Sequence, residues 1–259
     1  FIDIDALRAH FPDAFLTGRT PRMLAALDLE GAAAFLFAAR AVPATLPDGR
    51  ALPLLAIDVA VLGRSGELEV RSLSHHHWPS DVSPAVVPHG TTSATVASVD
   101  WQAAFTRVLA MHAATIPNRK LPRFQTRADA WLAHHGRDLD AALAEFAPSL
   151  VIWTHPRIPA PLPGVGCISI PARAEVPAAR VSARLLRVLA PFEPGVRADL
   201  STKKATTPVW SLRVDRTGMV RLPWWTLVPT GSGPPVLVGS WSAASLETVR
   251  RWLGGEVPP

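Results

Sequence analysis

The stretch LPLLAIDVAVLGRSGELEVRSLS, residues 52–74, decides the fold class. Leu55, Ile57, Val59 and Val61 alternate along its first half. Leu68, Val70 and Ser72 alternate against Glu67, Glu69 and Arg71 along its second. Alternation at a period of two marks a strand with one buried face. Between the halves, Gly63 to Gly66 form a glycine-bounded turn suited to a β-hairpin. The segment predicts two antiparallel strands, and the chain on either side mixes further strands with helices.

Upstream, Ile4, Leu7, Phe11 and Phe15 keep helical spacing broken by Pro12, which predicts a helix over about 3–10 and then a turn. A short helix at about 20–28 follows. The apolar segment 32–42 fits a buried strand or a helix, since a short apolar run has no diagnostic period. Downstream, SHHHWPS (74–80) ends the second hairpin strand, and residues 81–98 are rich in Pro, Gly, Ser and Thr and read as a long loop. Asp100 is placed to cap a helix carrying Trp101, Ala104, Phe105, Val108, Leu109 and His112 at amphipathic spacing, which ends near Ile116 and Pro117. PNRKLPRFQTR (117–127) reads as a proline-bounded basic loop. Thr126 and Asp129 resemble a capping box for a helix stopped by Gly136, with a further helix over about 138–147.

From residue 149 the expected order is strand (149–155), strand (167–170), helix (177–190), strands near 208–214, 219–225 and 235–240, and a helix over 243–253 capped by Ser242 and ended by Gly254 and Gly255. The chain is therefore expected to be α+β, with antiparallel sheets carrying helices on one face. Its C-terminal part fits a ferredoxin-like arrangement.

Charge divides the chain unevenly. The formal net charge is +5. Residues 1–100 hold more acids than bases and residues 101–259 hold the excess of bases, which suggests an acidic N-terminal part and a basic C-terminal part. Such a basic part suits a polyanion. Three segments supply the cations. Arg180, Arg184 and Arg187 fall on successive turns of the expected helix beside an apolar stripe of Val181, Leu185 and Val188. Lys203 and Lys204 lie among the hydroxyl groups of STKKATTP. Arg119, Lys120, Arg123 and Arg127 crowd the basic loop. Guanidinium and ammonium groups spaced this way can follow consecutive phosphates, and Trp210, Trp224 and Trp225 could stack on unpaired bases. Each segment also fits a solvated surface.

The three histidines, His75 to His77, are the other candidate. In an extended chain His75 and His77 share a face, which suits a pair of metal ligands or a general acid and base. His89 and Asp81 could join them. The spacing matches no metal signature such as H-E-x-x-H, so no metal or cofactor is assigned, and His75 and His77 stand as catalytic candidates. His155, at a strand end, is a lesser one. Cys167 is the only cysteine, which excludes an internal disulfide and suits a reduced, cytoplasmic setting. VGCISI reads as a buried strand, with the thiol in the core. The acidic opening FIDIDALRAHFPD does not read as a signal peptide, and no apolar run reaches membrane-spanning length. No Walker A loop, dinucleotide-binding glycine motif or G-x-S-x-G elbow is present.

Together these features point to a protein that binds nucleic acid, RNA or single strands before duplex DNA, as a ribonucleoprotein subunit or an RNA-processing nuclease. Two alternatives stay open: a small-molecule enzyme using the His75–His77 segment, and a non-catalytic module that binds an acidic protein. Whether the chain is an enzyme does not follow from its residues.

Overall fold

The structure of the chain, a computed structural model, describes residues 2–16, 19–27, 29–160, 166–173, 196–198, 210–214, 221–230 and 233–256. Its fold is α+β, with mostly antiparallel strand pairing. The expected helix at 177–190, on which the ferredoxin-like reading rests, lies outside the described residues. The chain condenses into two compact units that interleave in sequence. The first comprises Phe1–Arg40, Ala56–Ser74 and Asp100–His134, and the second Ala41–Leu55, His75–Val99 and His135–Pro259.

In the first unit, the short strand β1 (Ile2–Asp3) pairs antiparallel with β2 (Ala32–Thr45), placing Ile2 opposite Phe35. Three helices lie between them in sequence: α1 (Ile4–His10), α2 (Pro12–Leu16) and α3 (Arg19–Ala26). Asp3 caps α1, its Oδ1 accepting from the Ala6 N–H at 2.7 Å. Ile4, Ala32 and Phe35 are buried together, with Phe15, Leu29 and Val61 packed against them. The hairpin read from the sequence is present: β3 (Ala51–Gly63) pairs with β4 (Leu68–Ser72) in a register that sets Val61 opposite Glu69 and Val59 opposite Arg71. The segment 32–42 resolves as strand.

The unit also holds α4 (Trp101–Thr115) and, as far as His134, α5 (Leu121–Leu143). Asp100 caps α4 as expected, accepting from the Gln102 and Ala103 N–H groups at 3.0 Å. Phe105 stacks on Trp131 at 6.2 Å, and His112 meets Phe124 edge-on at 5.2 Å. Arg22 of α3 donates to the Ile116 carbonyl at 2.9 Å, so a cation meets the negative end of α4.

Three expectations fail on α5. The basic segment is not a loop: Asn118–Lys120 form a 3-10 turn that runs directly into the helix at Leu121. Pro122 falls in the first turn, where its missing N–H breaks no helical bond. Thr126 does not cap anything; its hydroxyl donates back to the Pro122 carbonyl at 3.0 Å within the helix. Nor does Gly136 end the helix. Ala128, Trp131, Leu139 and Ala142 are all buried along one stripe, and this burial outweighs the ~1 kcal/mol that a mid-helix glycine costs.

The second unit is built on a sheet in which β5 (Ser93–Ser98), β6 (Ser149–Thr154), β7 (Cys167–Pro171), β11 (Gly233–Ser240), β10 (Arg221–Thr230), β9 (Trp210–Val214) and β8 (Val196–Ala198) follow one another as antiparallel neighbours. The start of β3 lies parallel to β5, Leu54 beside Ala94. Strand β5 corrects the expectation of a loop throughout 81–98. Ala94, Thr95 and Val96 are all buried, so the strand is covered on both faces and its sequence shows no alternation. The expected odd-numbered face of β3 also needs correction in its first half, where Leu52, Leu54 and Ala56 are the buried residues; Val59 is buried in the second half.

Helix α6 (Ala243–Leu253) is capped by Ser242, whose Oγ accepts from the Ser245 N–H at 3.0 Å. It packs against β10 and β11. Its Leu246, Val249, Trp252 and Leu253 enter a core with Val228, Val236, Val238, Val151 and Trp153. The segment between β4 and β5 adds Trp78, Val82, Val86 and Val87 to that core. Its attachment runs through buried hydrogen bonds. Trp153 Nε1–H donates to Ser169 Oγ at 2.8 Å, and Ser169 Oγ–H donates to the Val86 carbonyl at 2.9 Å. Ser169→Ala would leave a buried donor and a buried acceptor unmatched at once. It is expected to lower unfolding stability by about 1–3 kcal/mol per orphaned group, read from urea denaturation, with faster amide exchange at residues 82–87.

Candidate nucleic-acid interface

Arg119, Lys120, Arg123 and Arg127 lie where the 3-10 turn enters α5, in the first unit. Residues four apart on a helix share a face, so Arg119, Arg123 and Arg127 form a row with about 6 Å of axial rise between successive members. All four side chains are exposed. Among the described residues none of the four side chains makes a hydrogen bond or an ion pair. Other arginines are held. Arg8 binds the Ala32 and Glu30 carbonyls and Asp5, and Arg71 is bidentate on Glu69. Arg50 binds Asp48 and the Pro84 and Val87 carbonyls, and Arg250 binds Glu247. The row at α5 is thus cationic surface not spent on internal contacts.

Arg180, Arg184, Arg187, Lys203 and Lys204 lie outside the described residues. Trp225 is described and is no free stacking platform. Its ring lies over Gly239 on the neighbouring strand, so close that a β-carbon there would fall 2.7 Å from it.

His75 and His77 belong to the second unit, at the start of the β4–β5 connection. The His75 N–H donates to the Val96 carbonyl at 2.6 Å, and its Nε2 lies 2.8 Å from Ser98 Oγ. The two rings meet edge-on at 6.0 Å, so the i, i+2 spacing does bring them to one side. Trp78, next in sequence, is buried and donates to the Val82 carbonyl at 2.7 Å. Among the described residues no three His, Cys, Asp or Glu side chains gather as a metal site. A cavity of about 490 Å³ in the same unit is lined by Asp81, Ser83, Arg173 and Thr230 among others, and no histidine reaches it.

His155 has a different role from the one its sequence position suggested. It is buried beside Trp252 at 4.5 Å, with Gly90 so close that a β-carbon would fall 2.9 Å from its Nε2. Gly90 takes a φ of +79°, a conformation and a clearance that both favour glycine. The Arg157 N–H donates to His155 Nδ1 at 3.2 Å, which leaves Nε2 to carry the proton of the neutral ring. Burial holds the imidazole below its ordinary value, and Arg157 adds to this, while the bond to His89 opposes it. The sequence offered no signal for this pairing, because Gly90 and His155 are joined only by the fold. Cys167 is buried, and burial pushes its thiol up to about 12, against the opposing bond to Ser240 at 3.6 Å. Such a thiol is a core group, not a nucleophile.

No protein-family model matches the chain, and no curated protein or solved structure matches it. No helix among the described residues is long and apolar enough to cross a membrane.

The histidine gives a pH dependence with a definite sign. A folded value below the unfolded one, about 6.5, means that the unfolded chain binds the proton more readily. The contribution of His155 is complete above that unfolded value and is lost as pH falls through the folded one. Urea midpoints measured between pH 8 and pH 5 are expected to decline on the acid side, and to decline less steeply in His155→Gln.

Proposed function

We propose that the chain binds single-stranded nucleic acid, RNA in the first place, with Arg119, Lys120, Arg123 and Arg127 as backbone-contacting residues. The observation that carries this reading is that all four are exposed on the entry to one helix and none is paired within the described residues. Guanidinium groups there remain hydrated and can exchange their counterions for phosphates. The excess of bases beyond residue 100 adds to the reading, as do the cations at 180–187 and 203–204 in the sequence. A row of cations reads the backbone and not the bases, so binding is expected to be weakly selective in sequence. The setting that suits this role is cytoplasmic, with the protein acting in a ribonucleoprotein or alongside a processing activity.

Fluorescence-anisotropy titration of a labelled single-stranded RNA across a salt series tests the proposal. Affinity is expected to fall steeply with salt. Replacing the four residues by alanine should weaken binding and make the dependence of log affinity on log salt shallower, by about 0.7 for each phosphate that the variant no longer neutralises. Binding that is absent, indifferent to salt or unchanged in the fourfold variant would refute it. His75→Ala/His77→Ala is expected to leave the affinity unchanged, since these residues are not part of the cationic row.

A further inference from the structure

Strand β4 is an edge. Among the described residues it pairs only with β3, and all five of its residues are exposed. The Gly63 N–H donates to the Glu67 carbonyl and the Leu73 N–H to the Ile57 carbonyl, both at 2.8 Å. Antiparallel bonding alternates every second residue. Counting inward from these two bonds, Glu69 and Arg71 turn their backbone groups toward β3. Leu68, Val70 and Ser72 turn theirs to the open side. That side is a row of unfilled donors and acceptors, the template on which another strand pairs.

The side chains here do not shield the edge. Val61 and Phe35 pack inward, so Leu62 and Leu36 lie on the opposite face, which Leu68 and Val70 share through the register Leu62 to Leu68 and Ala60 to Val70. Leu36 is 51%, Leu62 38%, Leu68 66% and Val70 64% exposed. No proline or bulge interrupts β4, two of the usual protections of an edge; its two charges, Glu69 and Arg71, share the face of Val61 and Val59 and hold each other there.

The sequence of β4 names its own partner. Read antiparallel to itself about Val70, LEVRS sets Leu68 opposite Ser72, Glu69 opposite Arg71, and Val70 opposite itself. We propose that the chain forms a two-fold dimer by antiparallel pairing of β4 with β4 of a second copy, centred on Val70. In this register the outward groups of Leu68, Val70 and Ser72 form the hydrogen-bonded pairs. Glu69 and the partner's Arg71 then form a non-bonded pair, where facing Cα atoms approach to about 4.5 Å and side chains touch. Within one chain, Glu69 and Arg71 already hold each other, Nε to Oε1 at 2.6 Å and Nη2 to Oε2 at 2.9 Å, so both charges are oriented on the same face before pairing. Sliding the two-fold by one residue brings Glu69 against the partner's Glu69, or Arg71 against the partner's Arg71. The Arg71-centred register sets like charges together with nothing to offset them, and the Glu69-centred one offsets its central repulsion only by setting Arg71 opposite Glu67, beyond the end of β4. A two-fold contact uses one patch twice, and this strand is complementary to itself. The inference is independent of the nucleic-acid reading.

Sedimentation velocity over a concentration series tests it, with circular dichroism to confirm folding of each variant. The unmodified chain is expected to dimerise. Glu69→Lys, which faces the partner's Arg71, should raise the dimer dissociation constant at least about tenfold, equivalent to about 1.4 kcal/mol. Adding Arg71→Glu restores the complementarity and should restore the dimer. Val70→Pro removes an outward N–H that β3 does not use, and should give a folded monomer. An unmodified chain that stays monomeric would overturn the proposal and leave the edge to a strand from a different protein. A dimer indifferent to both Glu69→Lys and Val70→Pro would overturn it as well.

Discussion

The side chain of Trp153 sets the constraint on which the second unit depends. A buried indole N–H usually finds an acceptor, because leaving that donor unmatched costs about 1–3 kcal/mol. Ser169, on the next strand, supplies that acceptor, and its own proton passes on to the Val86 carbonyl. One serine therefore ties two strands to the segment that follows β4. With this tie in place, Trp78, Val82, Val86 and Val87 can serve as core residues although they lie outside regular strands. Arg50 reinforces the same segment by binding the Pro84 and Val87 carbonyls, so its backbone polar groups are satisfied without a ladder. The same logic governs His155, a buried polar ring whose Nδ1 accepts from the Arg157 N–H and whose burial disfavours the charged form.

Arginines in this chain divide by what holds them. Where a guanidinium closes a loop or caps carbonyls, as at Arg8, Arg22 and Arg50, its cost of desolvation is repaid locally and its charge is no longer open to a ligand. At the entry to α5 the cations keep their water. That distinction matters more for function than their number, since net charge alone describes solubility and long-range attraction. A helical start also gives the row a fixed spacing, so less side-chain and backbone freedom is lost on binding than a loop would lose.

The fold was legible in the sequence where one physical signal dominated. Period-two alternation placed the β3–β4 hairpin; side-chain caps at Asp100 and Ser242 placed the starts of α4 and α6; unbroken apolar runs placed β6 and β7. It was not legible where a local signal competed with burial. Gly136 looked like a stop, but the buried stripe through Trp131 and Leu139 carries the helix past it. Ser93–Ser98 looked like a loop because small residues buried on both faces have no period. Pro117 and Pro122 suggested a basic loop at 117–127, whereas prolines before a helix and in its first turn help to start one.

For the candidate site, the sequence by itself determined which residues could carry positive charge: Arg119, Lys120, Arg123 and Arg127 are a dense run whatever their conformation. It also determined the self-complementary order of charges in LEVRS. Only the tertiary structure decided that the basic run is helical, exposed and unspent on internal pairs. Only it showed that β4 pairs with β3 alone among the described residues, with its Leu68, Val70 and Ser72 backbone groups turned outward, and that His155 is buried beside Trp252. The reason is the same in each case. Residue type fixes charge and hydrogen-bonding capacity, but what a group can still offer to a partner depends on which of its bonds the fold has already filled, and those bonds join residues far apart in the chain.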